Sequence, residues 1–478
     1  MPNLKINTDA AKIDFGDIRR ELQIPQDYPA DAVQQAVQLA QQPLPADLPD
    51  QTDIPFVTID PPGSKDLDQA LHISATDSGG YLVRYAIADV ARFVTPDSPI
   101  DLESRRRGQT YYSPDLATPL HPVELSEGAA SLLADQVRPA VLWSIELDAT
   151  GDVVSVDLRR ALVKSVAQLD YASVQQTVES KTMHPSIALL EQVGPLRLAL
   201  ARQRHAITLD LPDAEVERTQ DGEWTLQLRA VLPAEQWNAE ISLLTGMCAA
   251  KIMLDNGFGL LRTLPSPTAK DVKRLRRETA ALGIPWPDGA PAGDVIAGLD
   301  GAKPADAAFL QDALMLLRGA GYTAFDGQPP ADSGHAGVGA PYAHVTAPLR
   351  RLCDRYGTEI CLAHIAKQPV PDWVRQQLAE VVETMERTDR TAHDLERRCE
   401  SAVSAFLLAS RVGQRLSGVV VQIDDNDDPS KARATIALDD PPVSVKGPAA
   451  GLTEGSRIDV RVQANDNGGY TATPVTTS

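Results

Sequence analysis

The chain has 478 residues, 43% of them apolar, and a formal net charge of -20. Such a length accommodates two or three domains, and the absence of any run of 18 apolar residues excludes a membrane-spanning helix. An acidic balance of this size also excludes a general nucleic-acid coating protein, because phosphate binding needs cationic surface; it leaves room for an enzyme whose basic groups line an internal channel.

The opening residues MPNLKINTDAAKIDFGD lack a basic stretch followed by an apolar one, so no secretory signal is expected. Residues 1–50 read as a small helical domain. Asp9–Leu22 is amphipathic and ends near Pro25; Ala30–Gln41 follows Pro29 and stops before the linker QQPLPADLPDQ. From Ile54 the pattern changes to strands at 55–59, 69–75 and 81–90, then to a hairpin over 141–163 with its turn at Ala149–Asp152. Helical periodicity dominates 186–204, 234–254, 268–282, 305–318, 348–365 and 371–410, while the Gly- and Pro-rich 324–342 reads as a loop. Strands followed by helices predict an α+β domain over 51–415, a mixed sheet with helices around it. Short strands at 417–423, 431–438, 456–464 and 470–475 predict a C-terminal OB-type β-barrel over 416–478.

Cys248, Cys353, Cys361 and Cys399 are scattered without C-x-x-C spacing, as expected of reduced thiols in a cytoplasmic protein, and no two histidines share helical metal-ligand spacing. Zinc is therefore not expected. Cations are bunched at Arg105–Arg107, at Arg159, Arg160 and Lys164, at Lys270–Arg277, and at Arg350 and Arg351. Each bunch alone reads as a solvated face.

The stretch FVTIDPPGSKDLDQALHI (56–73) sets Asp60 at the end of a strand, then a Pro-Pro-Gly turn, then Asp66 and Asp68. Residues two apart in an extended segment point to one face. Three clustered anions repel one another unless a cation sits among them. Two readings follow: a solvated acidic loop, or a site for Mg²⁺ or Mn²⁺ completed by water and phosphate oxygens. The spacing does not suit an EF-hand.

The longer string DLPDQTDIPFVTIDPPGSKDLDQALHI resembles the signature of the ribonuclease II family catalytic domain. YAIADVARFVTPDSPIDLESRRRGQTYYSPD (85–115), residues 125–174, NAEISLLTGMCAAKIM (238–253) and GHAGVGAPYAHVTAPLRRLCD (334–354) match further family motifs in order, so the resemblance spans residues 50–415. It implies a hydrolytic 3′-to-5′ exoribonuclease that degrades single-stranded RNA to 5′-mononucleotides with Mg²⁺, or Mn²⁺. No membrane association and no obligate protein partner are expected. Asp60, Asp66 and Asp68 match three of the family's four metal-site aspartates; Asp68 matches the one needed for cleavage, with Asp66 beside it. Arg350 matches the arginine that braces the scissile phosphate, with Arg351 next to it. Placed inside a helix starting after Pro348, it would stand among N–H groups able to receive phosphate oxygens. Tyr112 matches an aromatic that stacks on the terminal base, and Tyr171 and Glu240 match positions that sense the ribose.

Several positions depart from the family. Gln69 stands where the fourth aspartate is found; its amide oxygen can ligate a metal but carries no charge. Weakened metal binding is expected, with Gln69→Asp preserving or raising activity. The alternative reading is a catalytically weakened or inactive RNA-binding relative. Leu209 replaces an aromatic that sandwiches the bases, and RYGTE follows Asp354 where a basic contact is usual. The C-terminal barrel carries nine acids against five bases and the single aromatic Tyr470, which suits it poorly to gripping RNA.

Overall fold

A strand rich in apolar residues on both faces needs cover on both, and Phe56-Val57-Thr58-Ile59, buried at every position, receives it. The computed structural model describes residues 13–209, 213–218, 224–301, 303–424, 428, 431–465 and 469–475. Two helices come first, α1 (Phe15–Glu21) and α2 (Ala30–Ala40). The strands β1 (Phe56–Ile59), β2 (Gln69–Ala75) and β3 (Tyr81–Ala88) follow. Next come helix α3 (Pro99–Arg107), the small hairpin β4 (Tyr111–Ser113) and β5 (Leu116–Thr118), and the long hairpin β6 (Val137–Leu147) and β7 (Val153–Leu169). The mixed sheet closes into a barrel in the order β1-β2-β3-β6-β7, with β1 antiparallel to β2 and parallel to β7. Alternation along each strand divides the apolar residues between two cores. Leu71, Tyr85 and Trp143 join one; their neighbours Ala70, Ala86 and Leu142 join the other, beside Ala32 and Ala36 of α2.

The helical half contains α4 (Tyr171–Ser180), α5 (Leu190–Gln203), α6 (Pro233–Asn256), α7 (Ala269–Leu282), α8 (Ala292–Ile296), α9 (Pro304–Ala313), α10 (Leu352–Ile365) and α11 (Asp372–Ala409). Between them lie three short ribbons: β8 (Asp213–Arg218) with β9 (Trp224–Arg229), β10 (Phe258–Thr263) with β11 (Gly321–Asp326), and β12 (Gly334–His335) with β13 (Ala340–Pro341). Part of the stretch read as a loop is therefore the strand β11. The helices α3 and α4 had no sequence signal because their stripes are thin: in α4 only Val174 and Val178 are buried, and α3 buries mostly polar groups.

The last five strands are β14 (Arg415–Ile423), β15 (Arg433–Leu438), β16 (Ser444–Pro448), β17 (Arg457–Ala464) and β18 (Tyr470–Pro474), ordered β16-β15-β14-β17-β18. The two outer strands approach closely at Gly447, where a Cβ would lie 2.2 Å from the carbonyl oxygen of Ala472. The first twelve residues, where the first predicted helix was placed to begin, lie outside the described ones. Phe15 of α1 belongs to an apolar cluster with Leu395 and Cys399 of α11 and the C-terminal strands, whereas α2 packs on the barrel. The four cysteines are free and buried. Among the described residues no helix is long and apolar enough to cross a membrane.

Candidate active site

The acidic loop is held by the residue between its acids. Leu67 is fully buried; its N–H donates to Ser131 Oγ at 3.0 Å and its carbonyl accepts from the Leu132 N–H at 3.0 Å. With Leu67 pinned inward in an extended stretch, Asp66 and Asp68 turn to the other side. The Asp68 carbonyl accepts from the Ala88 N–H, and the Asp60 N–H donates to the Leu169 carbonyl, which ties the loop to two barrel strands, β3 and β7. Asp68 is 1% exposed. One of its oxygens accepts the Leu349 N–H at 2.7 Å and the other accepts Arg350 Nε at 2.7 Å. Arg350 thus meets the acids across nearly three hundred residues of chain.

Asp60 has no such partner: its Oδ2 is buried without a hydrogen bond. Burial pushes its carboxyl up to about 7, against the pull of Arg350 and with further upward pushes from Asp68 and Asp66. Burial likewise lifts Asp68 to about 6 although Arg350 and the Leu349 N–H act against it. An orphaned buried carboxylate oxygen beside two more carboxylates is an environment that lacks positive charge. Hard oxygen donors of this kind suit Mg²⁺ or Mn²⁺, so the residues present fit a divalent cation held by Asp60, Asp66 and Asp68.

Gln69, first residue of β2, is engaged elsewhere. Its amide nitrogen donates to the Thr346 carbonyl at 2.6 Å and its amide oxygen accepts the Tyr85 hydroxyl at 2.7 Å. A backbone carbonyl only accepts, so the amide cannot be turned over. Gln69 therefore ties the barrel to the segment that carries Arg350, and its oxygen already has a donor.

That segment also revises the expected helix start. Helix α10 begins at Leu352, not after Pro348, and Arg350 lies in the preceding turn. The N–H groups of Leu349 to Leu352 already donate, to Asp68, to Ala347 twice and to Gly108. No phosphate cradle is left there, because the backbone donors are consumed in fixing the turn. The donors left to a ligand are the Nη groups of Arg350, whose side chain is 38% exposed. Arg351 instead makes a two-pronged ion pair with buried Asp354.

Tyr112 is 54% exposed, and its hydroxyl donates to Asp66 Oδ2 at 3.3 Å. With Arg350 and Arg351 it lines a cavity of about 310 Å³, completed by Gln109, Thr110, Ala392, His393 and Glu396. The α11 residues of that wall carried no signal, because α11 reads as an ordinary amphipathic helix. Tyr171, at the start of α4, is half-buried, hydrogen-bonds Asn238, and has its hydroxyl pKa raised by burial and by nearby Asp60.

Two expected residues lie apart from this group. Glu240 is buried, with Arg197 and Arg204 opposing the upward push of burial on its carboxyl. On α6, Asn238 and Ser242 face Tyr171 and Thr346. A residue two positions from each points to the opposite side of a helix, so Glu240 faces α5. Leu209 packs against the apolar cluster of α7, α8 and α9. Of the cation bunches, Arg105 and Arg107 face inward to Asp97, Asp101, Glu103 and Glu380, exposed Arg106 pairs with Glu103, and Arg160 pairs with Asp89 and Glu359. Arg355, in the departing RYGTE stretch, is buried against Asp101 and Trp373, a core ion pair.

A family model described as the RNB domain matches residues 48–366. The chain is similar to a protein named Exosome complex exonuclease RRP44 homolog A from Arabidopsis thaliana, at 29% identity over 352 residues, covering 70% of this chain and 37% of that one. It spans no more than 54% of any of the first three curated relatives that it matches. Its fold resembles that of Mycoplasma genitalium RNase R solved in complex with ribose-methylated single-stranded RNA, with a TM-score of 0.86, 21% identity, and coverage of 96% of this chain and 77% of that one. It also resembles yeast Ssd1, described as a pseudonuclease, with a TM-score of 0.69, 17% identity, and coverage of 84% and 51%. Ordered motifs, the closed barrel and a domain match over well above half its length agree: the chain belongs to the ribonuclease II (RNB-domain) family.

Proposed function

We propose that this protein is a divalent-metal-dependent hydrolytic exoribonuclease that shortens single-stranded RNA from its 3′ end and releases 5′-mononucleotides. The observation that carries the proposal is the joining of Asp60, Asp66 and Asp68 to Arg350 around a buried carboxylate oxygen that has no partner. Since the fold is shared with a pseudonuclease, the fold alone does not support activity; this constellation does.

Asp60, Asp66 and Asp68 would hold Mg²⁺ or Mn²⁺, which when bound neutralises the acids and supplies Lewis-acid activation of water and phosphate. Arg350, oriented by Asp68 through Nε, offers its remaining N–H groups to the phosphate as negative charge develops on it. Tyr112 presents an aromatic face to the terminal base, a sequence-tolerant interaction. Tyr171, near Asp60 and bonded to Asn238, is the group to which we assign contact with the ribose. Hydrolysis adds the water oxygen to phosphorus and releases the 3′ oxygen of the penultimate nucleotide, so the product is a 5′-monophosphate and the shortened strand keeps a 3′-hydroxyl. Single-stranded RNA and matched DNA, labelled in the 3′-terminal nucleotide, incubated with Mg²⁺, with Mn²⁺ and with chelator test the proposal. Metal-dependent release of mononucleotides from RNA supports it; RNA binding without products supports the inactive relative instead.

A further inference from the structure

We propose that the N-terminal segment 15–28 is a brace that sets the position of Tyr112, with Arg19 as its anchor. This segment precedes the family-matched region. In β4 the residues on either side of Tyr112 point the opposite way from it, as alternation in a strand requires, and both meet the N-terminal segment. Tyr111 is 3% exposed and belongs to one apolar cluster with Phe15 and Ile24. Ser113 Oγ accepts from Arg19 Nη1. Arg19 is itself 6% exposed; it makes a two-pronged ion pair with Asp115, at 3.0 Å for Nη2 to Oδ2, and its Nε donates to Gln26.

The grip continues beyond the hairpin. The Tyr28 hydroxyl donates to the Pro119 carbonyl. Arg107, 1% exposed, stacks 3.7 Å from the Tyr28 ring and donates to the carbonyls of Pro25 and Asp27. Both ends of the β4–β5 hairpin are thereby tied to residues 15–28. A two-stranded hairpin of three-residue strands is not stable unaided, so the direction of Tyr112 depends on what holds its base. A buried, two-pronged guanidinium contact is a stiff element for that purpose. The partners of Arg19 are Gln26, Ser113 and Asp115, not Asp60, Asp66 or Asp68; it is a positioning residue.

The test uses the full chain with Arg19→Met, which keeps the bulk and removes the ion pair, with Arg19→Lys, and with Asp115→Asn as a second route should the first fail to fold. The expected result is an approximately tenfold rise in KM for single-stranded RNA with kcat within about twofold, partial recovery in Arg19→Lys, and under about twofold further effect in a Tyr112→Ala background. Amide exchange of residues 111–118, which needs no RNA, should accelerate in Arg19→Met. Unchanged exchange there, or a KM effect that adds in full to that of Tyr112→Ala, overturns the brace. The RNA arm rests on the exoribonuclease reading: a wild-type protein that neither binds nor cleaves RNA overturns that reading, while the exchange measurement still decides the brace.

Discussion

Replacing Gln69 by an acid separates two accounts of that position. If Gln69 merely stood in for a metal-ligating aspartate, an acid there would hold or raise activity, as the sequence pattern alone suggests. The structure reverses the expectation. Thr346 is 2% exposed and its carbonyl is the acceptor of the Gln69 amide at 2.6 Å. Gln69→Glu keeps the length and the acceptor for Tyr85 but turns a second acceptor toward that carbonyl. Leaving a buried acceptor unpaired costs ~1–3 kcal/mol, before any repulsion between the two oxygens. Thr346 stands four residues before Arg350, whose placement against Asp68 depends on the same turn. A misplacement of order 1 Å at such a group lowers rate by up to about 100-fold. Gln69→Glu should therefore unfold at lower denaturant by ~1–3 kcal/mol and cleave about 10- to 100-fold more slowly in single-turnover assays at saturating metal. Gln69→Asp, one methylene shorter, abandons both partners and should be at least as impaired. Cleavage by Gln69→Glu at or above the wild-type rate, with tighter metal binding and unchanged stability, would refute the tie and make residue 69 a ligand position.

Asp60 and Asp68, lifted to about 7 and about 6 from 3.8, are protonated in the folded protein where the unfolded chain has already ionised; without metal they lower stability as pH rises through that window. A cation must displace those protons, so the rise in Tm on adding Mn²⁺ should be full at pH 8 and shrink as pH falls through 7 and 6; a constant rise would show that these acids do not hold the metal. His121 and His335, held down to about 3 and about 4 chiefly by burial, act in the opposite sense, removing stability as pH falls below about 6.5; comparing melts with and without metal at each pH isolates the acids. Asp68→Asn keeps an acceptor for only one of its two donors, so it should lose ~2–3 kcal/mol and all detectable cleavage while still binding RNA in chelator; equal loss of binding would mean that Asp68 serves capture or folding. Tyr112→Ala should raise KM about tenfold, since base stacking is worth ~1–3 kcal/mol, while Tyr112→Phe, which gives up only a 3.3 Å hydrogen bond in an exposed setting, should stay near wild type.

What could be read from the sequence and what could not divide along a physical line. The carboxylates of the early loop were legible because local rules suffice: a strand end, a turn and an extended Asp-Leu-Asp fix which side chains turn together. The same holds for α6 and α11, which bury many apolar side chains. Features held by partners far along the chain were not legible. Gln69 looks like a diluted aspartate until Thr346, 277 residues away, is set beside it. The turn around Arg350 looks like a helix start until its N–H groups are found donating to Asp68, Ala347 and Gly108. The polar α3 looks solvated, yet Arg107 and Glu103 are buried against each other. Arg19 looks like any cation on a short amphipathic helix; only the return of the chain at Ser113 and Asp115 gives it a partner.

These distant partners all sit next to a residue of the expected site: Thr346 near Arg350, Leu349 on Asp68, Ser113 beside Tyr112. A site residue placed by its own strand could be identified alone, whereas its support had to come from another part of the chain, because a strand end or a three-residue hairpin cannot fix a side chain by local hydrogen bonds. The side chains to which we assign chemistry were therefore recognisable by type and spacing. Those that aim them became recognisable only when the fold brought remote carbonyls and carboxylates within 3 Å. The consequence is testable at both supports: a change at Gln69 or Arg19 should alter how RNA is held or cut although every residue proposed to meet the RNA is left unsubstituted.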